Sequence, residues 1–121
     1  MVRSSKNGKI WGETSLLFAR NNVEVHRIKA LAGGSSSKHR HAHKHNGFFV
    51  ESGRLKVEVW KGYGIVDKTT LGPGESTDIG PGEYHRFTAI EDAVAFEIYW
   101  VQLDPCDIER DGVGSRKRGR R

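Results

Sequence analysis

The chain has 121 residues, of which 36% are apolar and 29% are charged, so it is long enough for one domain with one hydrophobic core. We find no apolar run of signal-peptide length, and none approaches the roughly 20 residues of a membrane-spanning helix. The single cysteine, Cys106, excludes an internal disulfide and with it a framework suited to an oxidising compartment. We therefore expect a cytoplasmic protein with no membrane partner.

The formal net charge is +5, but the positive charge is concentrated at the end of the chain. Residues 116–121 carry five basic side chains and no acidic one, so the rest of the chain is neutral. A short basic run beside glycines and a serine is typical of a solvated tail, and its contact with phosphates is non-specific. We predict a domain over residues 1–110 with its core at about 10–103, a flexible basic tail over 111–121, and no specific nucleic-acid partner.

Short β-prone segments between turn signals make up most of the chain, and helical periodicity is weak. Leu55, Val57 and Val59 alternate with polar or amphipathic residues, which indicates a strand with one buried face. The predicted strand segments are 15–19, 23–30, 55–60, 65–71, 83–90 and 93–103. Gly/Pro turns between many short strands predict an all-β fold, an antiparallel sandwich or barrel.

Histidines are the residues most suggestive of chemistry. Four of them occur at every second position: His39, His41, His43 and His45. In an extended backbone these side chains point to the same face. His85 follows the turn Gly80-Pro81-Gly82, which can place it on another strand. Imidazoles that converge from separate strands make a site for Zn, Fe, Ni or Cu.

The run from Gly33 to Gly53 resembles the first motif of the cupin superfamily, G(x)5HxH(x)3–4E(x)6G. In this register His39 and His41 are the histidine pair. Asn46 stands where the family has a glutamate ligand, so the resemblance implies a neutral carboxamide oxygen as a weaker metal ligand at that position.

The run from Gly74 to His85 resembles the second cupin motif, G(x)5PxGxxH(x)3N. Gly80 replaces the proline and Ala89 replaces the asparagine, while the histidine is present as His85. The resemblance implies a single-domain cupin jelly roll, that is, a double-stranded β-helix barrel. It also implies a homodimer and one divalent transition metal per chain, with Zn, Fe, Mn or Ni as the candidates.

A narrower resemblance, to the cupin domain of type II mannose-6-phosphate isomerases, covers most of the chain. It rests on Trp11-Gly12, the run 41–46, the run 71–87 and the segment 107–110. This register takes His41 and His43 as the ligand pair, whereas the general motif takes His39 and His41. His41 is common to both, and the sequence leaves its neighbour open.

The isomerase resemblance implies a small polar or phosphorylated substrate and a proton transfer between adjacent carbons. Such a reaction needs a base and an electrophile that stabilises the enediolate. Glu83 or an unligated histidine such as His45 is the candidate base. Arg86 and Lys44 are the candidate phosphate-binding residues.

Two other functions stay open at this stage. The Asn46 replacement is compatible with a three-histidine Fe(II) cupin that acts as an oxygenase or lyase on a small organic substrate. It is also compatible with a non-catalytic cupin that binds a ligand. We expect His26 to be a structural or solvent-facing histidine and Trp60 to be exposed. We expect the other large aromatic residues to form core or pocket wall: Phe48, Tyr84, Phe87, Tyr99 and Trp100.

Overall fold

The computed structural model of the chain describes residues 5–116, which form nine β-strands and no helix. In chain order the strands are β1 (Ser5–Lys9), β2 (Gly12–Arg20), β3 (Val23–Ala30), β4 (His45–Ser52), β5 (Leu55–Gly62), β6 (Ile65–Leu71), β7 (Ser76–Ile79), β8 (Tyr84–Ala89) and β9 (Ala93–Trp100). Because the described part of the chain has no helix, it has none that could span a membrane. The all-β prediction is confirmed.

The strands form two antiparallel sheets. A six-stranded sheet has the order β1-β2-β3-β9-β4-β7, and a three-stranded sheet has the order β6-β5-β8. β9 lies between β3 and β4, so residues from the last strand face both neighbours at the centre of the large sheet. The predicted single-domain jelly roll agrees with this arrangement.

The hydrophobic core lies between the two sheets and is built from alternate residues of their inner faces. β5 contributes Leu55 and Val57, which are 0% and 1% exposed, as period-two alternation predicts. The large sheet contributes Ile28, Phe48 and Val50, all with at most 1% exposure. Burial of such side chains contributes roughly 1.5–3 kcal/mol each, so this cluster stabilises the barrel.

Three strands were absent from the sequence-based prediction. β1 and β7 are short and polar, and β4 begins at His45, later than the histidine row suggested. The segment 34–44 is irregular, with only isolated bridges at Ser35 and His39 and a bend at Ala42–His43. The bend breaks the period-two alternation, so the prediction that four histidines share one face was wrong.

Tyr84 is not a core residue, because it is 41% exposed, so of its two expected positions the pocket wall stays open. The Arg40 guanidinium lies 4.7 Å from the centre of its ring. Trp60 was expected to be exposed but is half-buried, with the Lys38 ammonium 4.2 Å from its ring centre. Phe48 and Phe87 are core residues as predicted. Residues 111–116 are exposed and form no strand, and residues 117–121, which hold four of the five basic side chains of the predicted tail, lie outside the described part.

Candidate metal centre

The segment 34–44 lies against β8 and brings two histidines to a third. The backbones of His39 and His85 are hydrogen-bonded to each other in both directions, with N–O distances of 3.0 and 2.8 Å. The carbonyl oxygen of His41 accepts a hydrogen bond from the Gly82 N–H at 2.7 Å. Gly82 has φ of +82°, a left-handed conformation that suits glycine, so the turn before β8 needs this residue. The turn thus holds His41 beside His85.

His39, His41 and His85 form a group that we call the histidine trio. One ring nitrogen of each lies within 4.8 Å of the others. The ring centres of His39 and His85 are 4.6 Å apart, and that of His41 is 5.1 Å from His39 and 5.4 Å from His85. This is the pairing of the general cupin motif, with His39 rather than His43 beside His41.

Hydrogen bonds at Nδ1 decide which nitrogen of each ring is available. His85 Nδ1 lies 2.9 Å from the Glu83 carbonyl oxygen, and His39 Nδ1 lies 2.8 Å from the Ser37 carbonyl oxygen. A carbonyl oxygen only accepts, so Nδ1–H donates in both residues and Nε2 of the neutral ring keeps its lone pair. Such a bond to backbone is the usual outer support of a metal-binding histidine.

Burial keeps two rings of the trio in the neutral form that binds metal. It lowers the pKa of His41 to about 4, helped by the Lys44 ammonium and by the competition of the neighbouring His39 and His85 rings for a proton. Burial likewise lowers the pKa of His85, although its hydrogen bond to the Glu83 carbonyl opposes the change. Both imidazoles are therefore unprotonated at neutral pH, the state that metal ligation requires.

The donor set fits a divalent transition metal. His41 Nε2 is buried and has no hydrogen-bond partner among the described residues, and such an atom is costly unless a ligand occupies it. Asn46, which is 1% exposed, places its side-chain oxygen 3.0 Å from His85 Nε2. Two lone pairs face each other there, an arrangement that a shared cation makes favourable. Three imidazole nitrogens with one oxygen suit Zn, Fe, Mn or Ni.

Two of the predicted histidines are not part of this group. His43 is exposed at the bend. His45 stacks on Trp100, with ring centres 5.3 Å apart and the planes inclined by 13°. Since Asn46, the next residue of β4, faces the barrel interior, the alternation of the strand directs His45 to the outer face.

The other predicted site residues have protein partners. Glu83 accepts hydrogen bonds from the Lys61 ammonium at 2.7 Å and the Gly80 N–H at 3.2 Å, and the Lys61 contact lowers its pKa. Arg86 donates to Glu58 at 2.9 and 3.2 Å. Lys44 does lie near the trio, with its ammonium 4.0 Å from the ring centre of Tyr99.

The inner face of the large sheet carries a polar group that the sequence did not reveal. His26 of β3 and Glu97 of β9 are directly opposite each other, and His26 Nε2 lies 3.4 Å from the Glu24 carboxylate. Burial raises the pKa of Glu97, while hydrogen bonds from Tyr99 and Asn46 lower it in part. Tyr99 packs edge-on against His41 at 5.1 Å, so this wall adjoins the trio. His26 is thus half-buried and faces an acidic wall rather than solvent.

A cavity of about 290 Å³ lies along this wall. Its polar lining includes two ammonium groups, two carboxylates, a histidine and a phenol, from Lys9, Lys44, Glu24, Glu97, His26 and Tyr99. Tyr99 lines this cavity and also contacts His41, so one side chain separates the cavity from the trio. The sequence contained one indication of this wall: its polar residues occupy every second position of β3 and β9, the same positions as the buried residues of those strands.

Solved structures with similar folds are distantly related in sequence. KdgF from Halomonas sp. is 16% identical, with a TM-score of 0.70 over 85% of this chain and 89% of that one. Oxalate decarboxylase of Bacillus subtilis, which has Mn(II) centres, is 15% identical with a TM-score of 0.72 over 81% of this chain and 27% of that one. The capsular polysaccharide assembling protein CapF of Staphylococcus aureus is 19% identical with a TM-score of 0.69 over 88% and 31%.

This chain spans less than a third of the length of oxalate decarboxylase and of CapF, so those two similarities concern only one part of each protein. At such identities the likeness shows the fold. A search of the curated proteins found no match. The model of the Cupin domain family matches residues 26–102, which include the histidine trio, Asn46, Glu97 and most of the sheet framework. The chain belongs to the cupin family.

Proposed function

We propose that the chain binds one divalent transition metal at the histidine trio and isomerises a small anionic sugar derivative, such as a sugar phosphate. The observation that carries the proposal is that Tyr99 and Lys44, which lie next to His41 of the trio, also line a polar cavity with two ammonium groups. When bound, the metal supplies a Lewis acid that polarises the carbonyl group of the substrate. The likeness of the sequence to type II mannose-6-phosphate isomerases makes mannose 6-phosphate the first substrate to test.

The anionic group of the substrate is assigned to the lysines of the cavity. Lys44 lies over the Tyr99 ring and 4.0 Å from the Glu24 carboxylate, and its ammonium is near the trio because Tyr99 packs against His41. Lys9 lines the same cavity. Lys44 thus keeps the phosphate-binding role expected from the sequence. Arg86 is a weaker candidate, because Glu58 already occupies its guanidinium.

The proton transfer is assigned to His26, oriented by Glu24. Their contact of 3.4 Å is a histidine–carboxylate pair on the inner face, and the imidazole borders the cavity. Histidine is the side chain that most readily acts as a base at neutral pH. This assignment replaces Glu83 and His45, because Glu83 is paired with Lys61 and His45 is stacked on Trp100.

Metal content is the first test. We expect the wild-type protein to bind one transition metal ion per chain, and we expect His85→Ala to bind none, because His85 joins the two halves of the site. Elemental analysis of untagged protein after reconstitution with Zn, Mn or Fe measures this, with circular dichroism as the check on folding. His43→Ala is the matched control, since it removes an exposed histidine from the same segment. Wild-type protein without metal would refute the proposal.

Substrate turnover is the second part of the same test. The metal-loaded protein is incubated with mannose 6-phosphate and fructose 6-phosphate, and both directions are followed. His26→Gln is expected to abolish turnover while the metal content stays unchanged. Turnover that persists in His26→Gln would contradict the assignment of the base, and absence of turnover in the wild type would contradict this substrate.

The neutral Asn46 supports a second candidate function, a three-histidine Fe(II) oxygenase or lyase on a small organic substrate. Without a carboxylate ligand, a trio with Fe(II) carries one more positive charge than the usual cupin site. Oxygen uptake by iron-loaded protein with small organic acids or thiols separates this function from isomerisation. A loaded protein that binds sugar phosphates without either reaction would be a ligand-binding cupin.

Homodimerisation stays a prediction, and light scattering tests it.

A further inference from the structure

The side chain of Asn46 has two possible orientations with opposite consequences for a metal. With its oxygen toward His85, it offers a fourth ligand atom beside the trio. With its NH₂ group toward His85, it donates a hydrogen bond to Nε2 and closes the site. A carboxamide has no charge to favour one orientation, so the groups on its other side decide between them.

Acceptors on the other side of Asn46 select the first orientation. Asn46 Nδ2 lies 3.4 Å from the Gly47 carbonyl oxygen, which only accepts. The Asn46 side chain lies near enough to the Glu97 carboxyl group to lower its pKa as a hydrogen-bond donor does. The register places Asn46 opposite Tyr99 and Phe48 opposite Glu97, so Asn46 and Glu97 are diagonal neighbours on the inner face of β4 and β9. Because the oxygens of a carboxyl group accept hydrogen bonds, Nδ2 turns toward Glu97 and the side-chain oxygen of Asn46 turns toward His85.

Glu97 is itself held in place. It is 9% exposed, opposite both His26 and Phe48, and it accepts a hydrogen bond from the Tyr99 side chain. Among the described residues the Glu97 carboxyl group has no arginine or lysine partner, and its burial costs free energy, as its raised pKa shows.

We propose that Glu97 is a positioning residue of the metal centre: the acceptor oxygens of its buried carboxyl group on β9 orient Asn46 with the side-chain oxygen toward His85. The proposal rests on the proposed metal site. A carboxylate at position 46 would need no such partner, because both of its oxygens are acceptors, whereas a carboxamide presents either an acceptor or a donor.

The test measures metal affinity by competition with a chelating indicator for Zn or Mn. We expect Glu97→Gln to weaken binding by about tenfold, the usual range for loss of an outer-shell partner. The carboxamide introduced by this substitution has both a donor and an acceptor, so it no longer fixes the orientation of Asn46. Glu24→Gln is the matched control, because it neutralises a carboxylate of the same cavity with no contact to Asn46. An equal loss in Glu24→Gln would show a general charge effect and would overturn the proposal.

A double-mutant cycle makes the assignment specific. Asn46→Ala removes the oxygen ligand, and we expect Glu97→Gln to change affinity by less than about twofold in that background. A further tenfold loss in the double variant would mean that Glu97 acts without Asn46 and would refute the proposal. The visible spectrum of bound Co(II) is a second readout, expected to shift alike in Glu97→Gln and Asn46→Ala and to stay unchanged in Glu24→Gln.

A third variant separates the position of the carboxyl group from its presence, and it replaces Glu97→Gln if that protein does not fold. Glu97→Asp keeps the carboxyl group and withdraws it by one methylene. A positioning role predicts weaker binding, and a role that needs only a carboxyl group in the barrel predicts unchanged binding. If the wild type binds no metal, the proposed function fails. If the wild type binds and both Glu97 variants bind equally well, only this inference fails.

Discussion

The two ends of the barrel differ sharply in polarity, although the same strands build both. On the inner face of β9, Ala93 and Ala95 are buried at one end, and Glu97 and Tyr99 follow at the other. β8 runs in the opposite sense, from His85 at the polar end toward the apolar end. The change occurs within two residues of one strand, so the boundary between core and site is one step of the β-pleat.

The two ends of the barrel have opposite effects on the stability of the fold. The apolar end removes hydrocarbon surface from water and stabilises the fold. The polar end takes imidazole and carboxylate groups out of water with incomplete hydrogen bonding, as the partnerless His41 Nε2 among the described residues and the raised pKa of Glu97 show. Sites often retain such strain because function requires it. Variants at the two ends can therefore be expected to change stability in opposite directions.

The largest effect is expected at the apolar end, from Phe87→Ala. Phe87 is 3% exposed and packs edge-on against Trp11 at 4.9 Å and against Phe48 at 5.8 Å. Loss of this ring leaves a cavity, so we expect the free energy of unfolding to fall by about 3–5 kcal/mol. Urea denaturation in the presence of a chelator measures it. The metal content at low temperature is expected to stay unchanged, because the trio lies at the other end.

Phe49→Ala is the control for that variant. Phe49 is 41% exposed on the outer face of β4, so its loss is expected to cost less than about 1 kcal/mol. An equal fall in the free energy of unfolding in Phe87→Ala and Phe49→Ala would show that the apolar end is not the main source of stability. The two ends would then not differ as described.

A smaller effect of opposite sign is expected at the polar end, from His41→Leu. The buried Nε2 has no partner among the described residues, and such an atom costs about 1–3 kcal/mol. We therefore expect His41→Leu to be more stable than the wild type by about that amount when metal is chelated. Excess zinc is expected to reverse the order, because only the wild type is stabilised by binding.

Denaturation in chelator and in zinc, followed by circular dichroism, tests the reversal. His43→Leu, at the exposed bend, is expected to leave both curves unchanged. A His41→Leu protein that is less stable than the wild type in chelator would show that the polar end does not oppose folding.

The sequence predicted the apolar end better than the polar end, for a physical reason. Alternation at Leu55, Val57 and Val59 identifies a strand because burial of one face repeats over many residues. A site depends on single residues. His26 and Glu97 interrupt apolar patterns once each, and only the register of β3 against β9 shows that they face each other.

The histidine run shows a second limit of prediction from sequence. The cupin spacing identified His39, His41 and His85, because a fixed number of residues between glycines and histidines corresponds to fixed turns in the fold. The alternation of His43 and His45 had the same appearance in the sequence. The bend at Ala42–His43 separates them from the trio, and backbone conformation at such a bend depends on tertiary contacts such as the Gly82 N–H to His41 carbonyl bond.

The smallest expected effect compares Glu97 with a buried carboxylate that does have a cationic partner. Glu58, 5% exposed, accepts two hydrogen bonds from Arg86, and this contact holds its pKa below the usual value of 4.5. A lowered carboxyl pKa stabilises the fold above the unfolded-state pKa, and the contribution is lost as the pH falls through the folded-state pKa. We expect Glu58→Gln to cost about 1 kcal/mol at neutral pH, since Arg86 is partly exposed.

The pH dependence of that cost tests its origin. The difference between wild type and Glu58→Gln is expected to be constant from pH 7 down to about 5 and to shrink below 4.5, because both proteins are then neutral at position 58. Glu91→Gln, at the exposed turn between β8 and β9, is expected to match the wild type at every pH. A difference that persists in acid would mean that Glu58 stabilises by packing rather than by charge. In that case Glu58 would not show how much a cationic partner stabilises a buried carboxyl group. The His41→Leu variant alone would then measure how far the polar end lowers the free energy of unfolding.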